Sequence, residues 1–419
     1  MFFGAQLRRR RLAAGWSLRD LAGAVHYSKS HLSKIETGSK TPSVDLARRC
    51  DVVLGCGGEL AQLVASPAVA ASSRAAAAAD EIWTLVLDPS GGSRFVTTSR
   101  DDARLRGFAP SGAAPSTGRV DESTLAAFRV MFDEMRKLGQ SMSAVALMPT
   151  LVSQTHLLQT VAAGTRDQSL RDAALVLAAR FAEFAGWMAQ EDGNNDDAER
   201  WTDRAVELAA AGSDHEMAAY ALVRRALITL YNYDAVSTIA LARRAQSAAS
   251  SARTRGLAAQ REAQGHAIAG DYDACFRALE VAAGLLRPTA GADSGPVLGT
   301  SNVTDPVGMA TGWCLFDLGQ PAQAVDILRR ELELIPTYAR RARSRFGARL
   351  ALALAGSGEV VEACAVAEQA LGDNDDVDSA TIRVDLSALS RTLNRWHTSP
   401  DVRRVMPRLN EALHSAPAV

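Results

Sequence analysis

The chain has 419 residues, of which 47% are hydrophobic but only 5% aromatic, and its formal net charge at pH 7 is −1. This length predicts two or more domains, and the few aromatic residues favour packed helices with Ala, Leu and Val cores over long β-strands. No apolar stretch reaches the 18 residues that a membrane-spanning helix needs, and residues 1–11 lack the apolar core of a signal peptide. A cytoplasmic location is therefore expected.

Charge and cysteines are distributed unevenly along the chain. Residues 1–65 contain ten Lys or Arg against five Asp or Glu, whereas the remaining residues have a net charge of −6. A basic segment joined to an acidic body is typical of a polyanion-binding module attached to another domain, although a solvated basic face would give the same charge. The five cysteines are scattered without a CxxC pair, which predicts reduced, buried thiols.

A dense run of short helices is predicted near the N-terminus, at residues 6–14, 17–25, 28–36 and 41–54. Their ends carry capping signals, because Gly15 follows the first helix, Ser17-Leu-Arg-Asp20 is a capping box for the second, and Ser28 caps the third. Two short helices joined by a tight turn, within a cluster of five helices, form the arrangement that places one helix in the major groove of DNA.

The stretch LAGAVHYSKSHLSKIETGSKTPS, residues 21–43, resembles the lambda-repressor-like (Xre-type) helix-turn-helix family, and the resemblance covers residues 4–65. It implies that Ser28–Glu36 is the recognition helix and that Arg11 and Glu36 form a structural charge pair. His26 departs from the family by occupying a turn position that is often Gly. The DNA-binding residues that the resemblance implies are Ser17, Ser28, Lys29, Ser30, Ser33, Lys34 and Lys40. A protein-interaction role without DNA binding is the alternative, which the three lysines disfavour.

Residues 66–120 are predicted to be a linker that contains a short β-hairpin. Ser66–Ala79 is nearly pure Ala and Ser, which predicts a linker or a connecting helix, and Gly107–Gly118 is rich in Gly, Pro and Ser, which predicts a second linker. Between these two stretches, Trp83–Leu87 and Phe95–Thr98 are β-prone and flank the Pro/Gly-rich residues 88–92, which predicts a hairpin over residues 83–98.

Residues 121–419 are predicted to be helical, because apolar residues recur at intervals of three and four. Helix breaks recur at intervals of 39, 38, 49 and 39 residues, and the longest interval contains the insertion Pro288–Asn302. The breaks lie at Gly193, Asn232, Gly270, Gly319 and Gly358. With Gly at the turns and Ala where paired helices meet, residues 170–372 resemble tetratricopeptide-type repeats, although their period exceeds the usual length of about 34 residues. An irregular, Ala-rich helical bundle is the alternative.

The fold class predicted for the whole chain is therefore all-α, with a five-helix DNA-binding domain, a hairpin in the connector and a repeat domain. Three tryptophans in the repeats, Trp187, Trp201 and Trp313, are candidate ligand-binding residues, although their positions in repeat helices favour a place in the core. The insertion is either a lid or peptide-contacting loop, or a surface excursion. The run Glu191–Asp197 resembles a calcium loop only faintly, because Asp replaces the required Gly and Glu.

No catalytic constellation, metal site or cofactor motif is found in the sequence, so we expect neither an enzyme nor a cofactor. The sequence predicts a transcriptional regulator that binds operator DNA as a homodimer and responds to a peptide or small molecule in its repeat domain. The architecture resembles that of peptide-responsive quorum-sensing regulators. The alternative is a scaffold whose repeats bind a protein partner without any small ligand.

Overall fold

The computed structural model describes residues 3–25, 27–36, 42, 44–54, 56, 60, 81–87, 93–99, 121–287, 298–299 and 302–414. The chain divides into two compact units. One unit contains residues 1–84 and 95–110, and the other contains residues 85–94 and 111–419.

Four helices are described in the first unit: α1 Phe3–Ala13, α2 Leu18–Ala24, α3 Lys29–Glu36 and α4 Val44–Leu54. They surround a common core in which Leu7, Leu21, Leu32, Ile35 and Leu46 are all buried. The Leu60 backbone N–H donates a 2.9 Å hydrogen bond to Asp51 Oδ1, which fixes the chain beyond α4. The predicted fifth helix, the His26 turn position and the Ser66–Ala79 linker lie outside the described residues.

Two strands, β1 Glu81–Leu87 and β2 Ser93–Ser99, pair in a two-stranded sheet. The turn predicted at residues 88–92 and the second linker, Gly107–Gly118, lie outside the part of the chain that the structure describes.

The second unit begins with two helices, α5 Glu122–Leu138 and α6 Ala144–Gly164. Both of them pack against the next helix, which begins at Gln168. Six helical pairs come next. They are α7 Gln168–Glu191 with α8 Asn195–Ala211, α9 Glu216–Tyr231 with α10 Ala235–Ala248, α11 Ala252–Ile268 with α12 Tyr272–Leu285, α13 Pro306–Asp317 with α14 Pro321–Glu333, α15 Arg340–Ser357 with α16 Val360–Asn374, and α17 Ala380–Leu393 with α18 Pro400–His414. A short 3₁₀ turn, Asn394–Trp396, follows α17.

The five helix breaks predicted from the sequence all lie between the two helices of a pair. Four of them are glycines with φ of +85°, +76°, +78° and +92°, at Gly193, Gly270, Gly319 and Gly358. These values lie in the left-handed region, where Gly alone adds no steric strain. Asn232 ends α9, and the next residue, Tyr233, takes the positive φ of +56° instead. The resulting stack of pairs suggests helical repeats of the tetratricopeptide type.

The five cysteines are free and buried, as the sequence predicts. Among the described residues, no helix combines the length and the apolar character needed to cross a bilayer. Most of the insertion Pro288–Asn302 lies outside the described residues, apart from Leu298, Gly299 and Asn302.

Candidate nucleic-acid interface and ligand cavity

The second and third helices of the first unit both begin at a serine cap. The Asp20 backbone N–H donates to Ser17 Oγ at 3.2 Å, and the Asp20 carboxylate accepts hydrogen bonds from both the N–H and the hydroxyl of Ser17. At α3, the His31 backbone N–H donates to Ser28 Oγ at 3.2 Å. These bonds satisfy donors that a helix start would otherwise leave unpaired, so they fix where α2 and α3 begin.

Arg11 and Glu36 connect α1 to the end of α3. Arg11 Nε and Nη2 donate to the two carboxylate oxygens of Glu36 at 2.7 and 2.8 Å, and Arg11 Nη1 donates to the Trp16 carbonyl at 2.9 Å. The hydrogen bonds that Arg11 donates to the Glu36 carboxylate raise the pKa of Arg11, against the opposing effect of burial. A two-point guanidinium–carboxylate contact fixes orientation as well as distance, so this pair sets the pose of α3 relative to α1.

The two sides of α3 differ sharply in character. Leu32 and Ile35 are buried in the core of the first unit. The opposite side presents two lysines and two serines, and all four of these side chains are exposed: Lys29, Ser30, Ser33 and Lys34. The helix therefore displays a polar, cationic surface of hydrogen-bond donors, and these side chains suit phosphate oxygens and the base edges of a major groove.

The other DNA-binding residues predicted from the sequence are placed differently. The Ser17 hydroxyl donates to the Asp20 carboxylate, whereas the Ser28 hydroxyl accepts from the His31 N–H and keeps its own O–H as a donor that suits a phosphate oxygen. Lys40 lies outside the described residues.

Residues 3–64 match the family model of a helix-turn-helix domain. The match covers α1–α4, including the exposed side of α3, and it supports a DNA-binding regulator. No curated protein matches the chain. The likeness to a known family therefore covers residues 3–64.

The second unit contains a cavity of about 160 Å³. Its walls come from α5 and from the first helix of five successive pairs, α7, α9, α11, α13 and α15. The lining is completed by Gln140, between α5 and α6, and by residues at the end of the insertion and just beyond it, Leu298, Gly299, Asn302 and Val303. The second helices of the pairs contribute no side chain to this lining among the described residues, so the cavity lies on one side of the stack.

The three candidate tryptophans separate by their position in the pairs. Trp187 and Trp313 belong to first helices and line the cavity, with Trp187 Nε1 donating to Glu191 Oε1 at 3.0 Å. Trp201 belongs to α8, a second helix, where it is buried and does not line the cavity. The structure therefore brings two of the three tryptophans together at one site and places the third in the packing between helices.

Arginines of the cavity wall are the feature that sequence reasoning missed. Six of them line the cavity, Arg136, Arg180, Arg224, Arg261, Arg341 and Arg345. The sequence pattern that could have predicted these arginines is the recurrence of Arg within the first helices of the pairs, which are otherwise rich in Ala and Leu. Among the described residues, no group of three or more His, Cys, Asp or Glu side chains is placed to hold a metal ion.

Proposed function

We propose that the protein is a sequence-specific DNA-binding transcriptional regulator that reads its operator with the exposed side of α3. The supporting observation is that the match to the helix-turn-helix family includes a helix whose outward side carries Lys29, Ser30, Ser33 and Lys34. Lysine contacts phosphates or guanine, and serine accepts or donates to either type of base pair.

The proposed regulator acts as a homodimer. A recognition helix of eight residues covers one half-site of a few base pairs. Two-fold pairing doubles both the base contacts and the phosphate contacts, and it predicts an operator with two inverted half-sites. The half-site centres should lie about one helical turn of DNA apart, or a whole multiple of it.

An effector in the cavity of the second unit is proposed to control DNA binding. The cavity is enclosed by helices from six successive parts of the fold, so a ligand that favours one arrangement of these helices shifts the population of that arrangement. Control of DNA affinity then requires that the two arrangements differ in how they position the paired helix-turn-helix domains.

Sequencing of genomic DNA fragments retained by the purified full-length protein tests this proposal. The expected result is a small set of fragments that share an inverted repeat. The Lys29→Ala/Lys34→Ala double variant should lose this enrichment, whereas Lys137→Ala, which removes an exposed lysine of α5, should keep it. Enrichment of no shared site by the wild-type protein would contradict the regulator and favour a scaffold whose repeats bind a protein partner.

A further inference from the structure

The wall of the cavity carries a strong excess of positive charge. Six arginines line it, and Glu183 is the one carboxylate among the described lining residues. Two further carboxylates lie just behind the wall, where Asp214 pairs with Arg180 at 3.3 Å and Glu191 pairs with both Arg341 and Arg345. These carboxylates form ion pairs with four of the arginines, whereas Arg261 forms none with any carboxylate in the described part of the chain.

Arg261, at the middle of α11, is the least compensated of these arginines. Its side chain donates to the Gln264 side-chain oxygen, a neutral acceptor, and its Nε is buried without a hydrogen-bond partner among the described residues. Burial lowers the pKa of Arg261 to about 10. Tyr231 and Tyr220 oppose this effect, and the charges of Arg224 and Arg345 add smaller contributions that lower the pKa further. The group is nevertheless protonated at neutral pH.

Arg180 and Arg224 bring further unsatisfied donors to the same wall. Nε and Nη1 of Arg180 are buried without a hydrogen-bond partner in the described part of the chain, and its Nη2 reaches Asp214 only at 3.3 Å. Arg224 donates to Gln190 Oε1 at 2.9 Å, and its Nε lies 3.5 Å from Glu183 Oε1, which is a weak contact. Buried donors of this kind are normally satisfied in a folded protein, so these three arginines are suited to an anionic partner.

The rest of the lining is largely apolar and aromatic. Phe132, Phe184, Trp187, Tyr220, Trp313 and Phe346 all contribute to it. A ligand that matches both parts of the wall has an anionic head and an apolar or aromatic body. A monoanion suits this environment better than a dianion, because the cost of removing an ion from water rises steeply with its charge.

We propose that the cavity binds a carboxylate carried on an apolar or aromatic body, with Arg180, Arg224 and Arg261 holding the carboxylate. A planar carboxylate matches the paired donors of a guanidinium group. The proposal rests on the proposed function in that it takes this cavity as the effector site. The carboxylate can come from a free organic acid or from the C-terminus of a peptide, of which a volume of about 160 Å³ accommodates only the last side chain.

Thermal unfolding of the full-length protein with matched acids and amides tests this inference. The small-molecule probes are 4-phenylbutyrate, its primary amide and phenyl phosphate. The peptide probe is a tetrapeptide ending in Phe, with either a free or an amidated C-terminus. At millimolar concentration and equal ionic strength, at least one free carboxylate should raise the melting temperature by about 2 °C or more, and its amide should not. Binding of 4-phenylbutyrate would indicate an organic acid as the ligand, and binding of the tetrapeptide with a free C-terminus would indicate a peptide.

Two arginine variants complete the design. Arg261→Gln should abolish the carboxylate-dependent shift, whereas Arg225→Gln, which removes an arginine paired with Asp203 outside the cavity lining, should leave it intact. The inference is overturned if no carboxylate exceeds its amide, if phenyl phosphate alone raises the melting temperature, or if Arg261→Gln keeps the full shift. DNA affinity of the same preparations is measured separately, so loss of DNA binding counts against the proposed function and not against the ligand.

Discussion

Arg341 and Glu191 form a buried ion pair, 3.1 Å between Nη1 and Oε2, although they lie 150 positions apart in the sequence. Both side chains are only 1% exposed. The Arg341 guanidinium also donates to the backbone carbonyls of Gly139, Met142 and Val377. The Arg341 backbone N–H donates to the Gln140 carbonyl at 2.7 Å. One arginine at the start of α15 thus ties the α5–α6 turn, the end of α7 and the segment before α17 into one network beside the cavity.

Glu191 is predicted to make the second unit sensitive to acid. Burial raises the pKa of Glu191, but the charges of Arg345 and Arg341 and the hydrogen bond from Ser379 outweigh it and bring the pKa to about 2. The ordinary value of 4.5 applies to the unfolded chain, so this carboxylate stabilises the fold above pH 4.5, and the contribution is lost as the pH falls from 4.5 towards 2. This pKa shift corresponds to a contribution of about 3 kcal/mol to the free energy of unfolding.

The Glu191→Gln variant should lose this acid sensitivity and much stability at neutral pH. Gln leaves Arg341 and Arg345 buried without their carboxylate, which costs about 3–5 kcal/mol. Melting followed by tryptophan fluorescence at pH 7 and between pH 5 and 3 measures both effects. Glu207→Gln, which removes an exposed carboxylate paired with Arg204, is the control and should melt like the wild type. Equal melting of Glu191→Gln and the wild type at pH 7 would contradict the role given to this network.

Arg261→Met is predicted to leave the ligand-free protein as stable as the wild type or more so. The substitution removes a buried charge that faces a neutral amide, and its aliphatic side chain fills similar space. Arg349→Met is the matched comparison, because Arg349 pairs with Asp385 at 2.8 Å and with Asp317 at 3.4 Å. That variant should lose about 3–5 kcal/mol by leaving carboxylates unpaired. Equal destabilisation of the two variants, in urea unfolding, would show that Arg261 serves the fold and not a ligand.

Gly4 is predicted to be essential for the packing of α1 against α3. A Cβ at this position would lie 2.1 Å from the Ile35 carbonyl oxygen, which is backbone and cannot rotate away. Gly4→Ala should therefore separate the two helices at a cost of about 1–3 kcal/mol or more. Hydrogen exchange of the amides in residues 29–36 should become faster in this variant.

The control for that measurement is Gly23→Ala in α2. No atom lies within 4 Å of the added Cβ among the described residues, and alanine favours a helix by about 0.5–1 kcal/mol over glycine. Exchange in α3 should be unchanged or slower. Wild-type protection of α3 in Gly4→Ala would show that α1 does not hold α3 in place.

The features that were predictable from the sequence are those that depend on neighbouring residues. Local backbone chemistry sets the caps at Ser17 and Ser28 and the glycine turns of the helical pairs, so short sequence motifs predict them. The cavity depends on which helix of each pair faces inward. Periodicity gives an apolar side to both helices of a pair, so it cannot separate Trp187 from Trp201. Glu191 shows the same limit, because its two charged partners, Arg341 and Arg345, lie 150 or more residues away.

The salt dependence of DNA binding tests the central claim most directly. Fluorescence anisotropy with the upstream region of the gene, or with the genomic fragments retained by the protein, should give a wild-type affinity that falls linearly with salt on a logarithmic scale. Lys29→Ala/Lys34→Ala should weaken binding and flatten the slope by up to about one unit per lost phosphate contact, and Lys137→Ala should not. A wild-type protein without salt-sensitive affinity for any of these fragments, or a double variant that binds as the wild type does, would contradict the assignment of α3 as the DNA-reading helix.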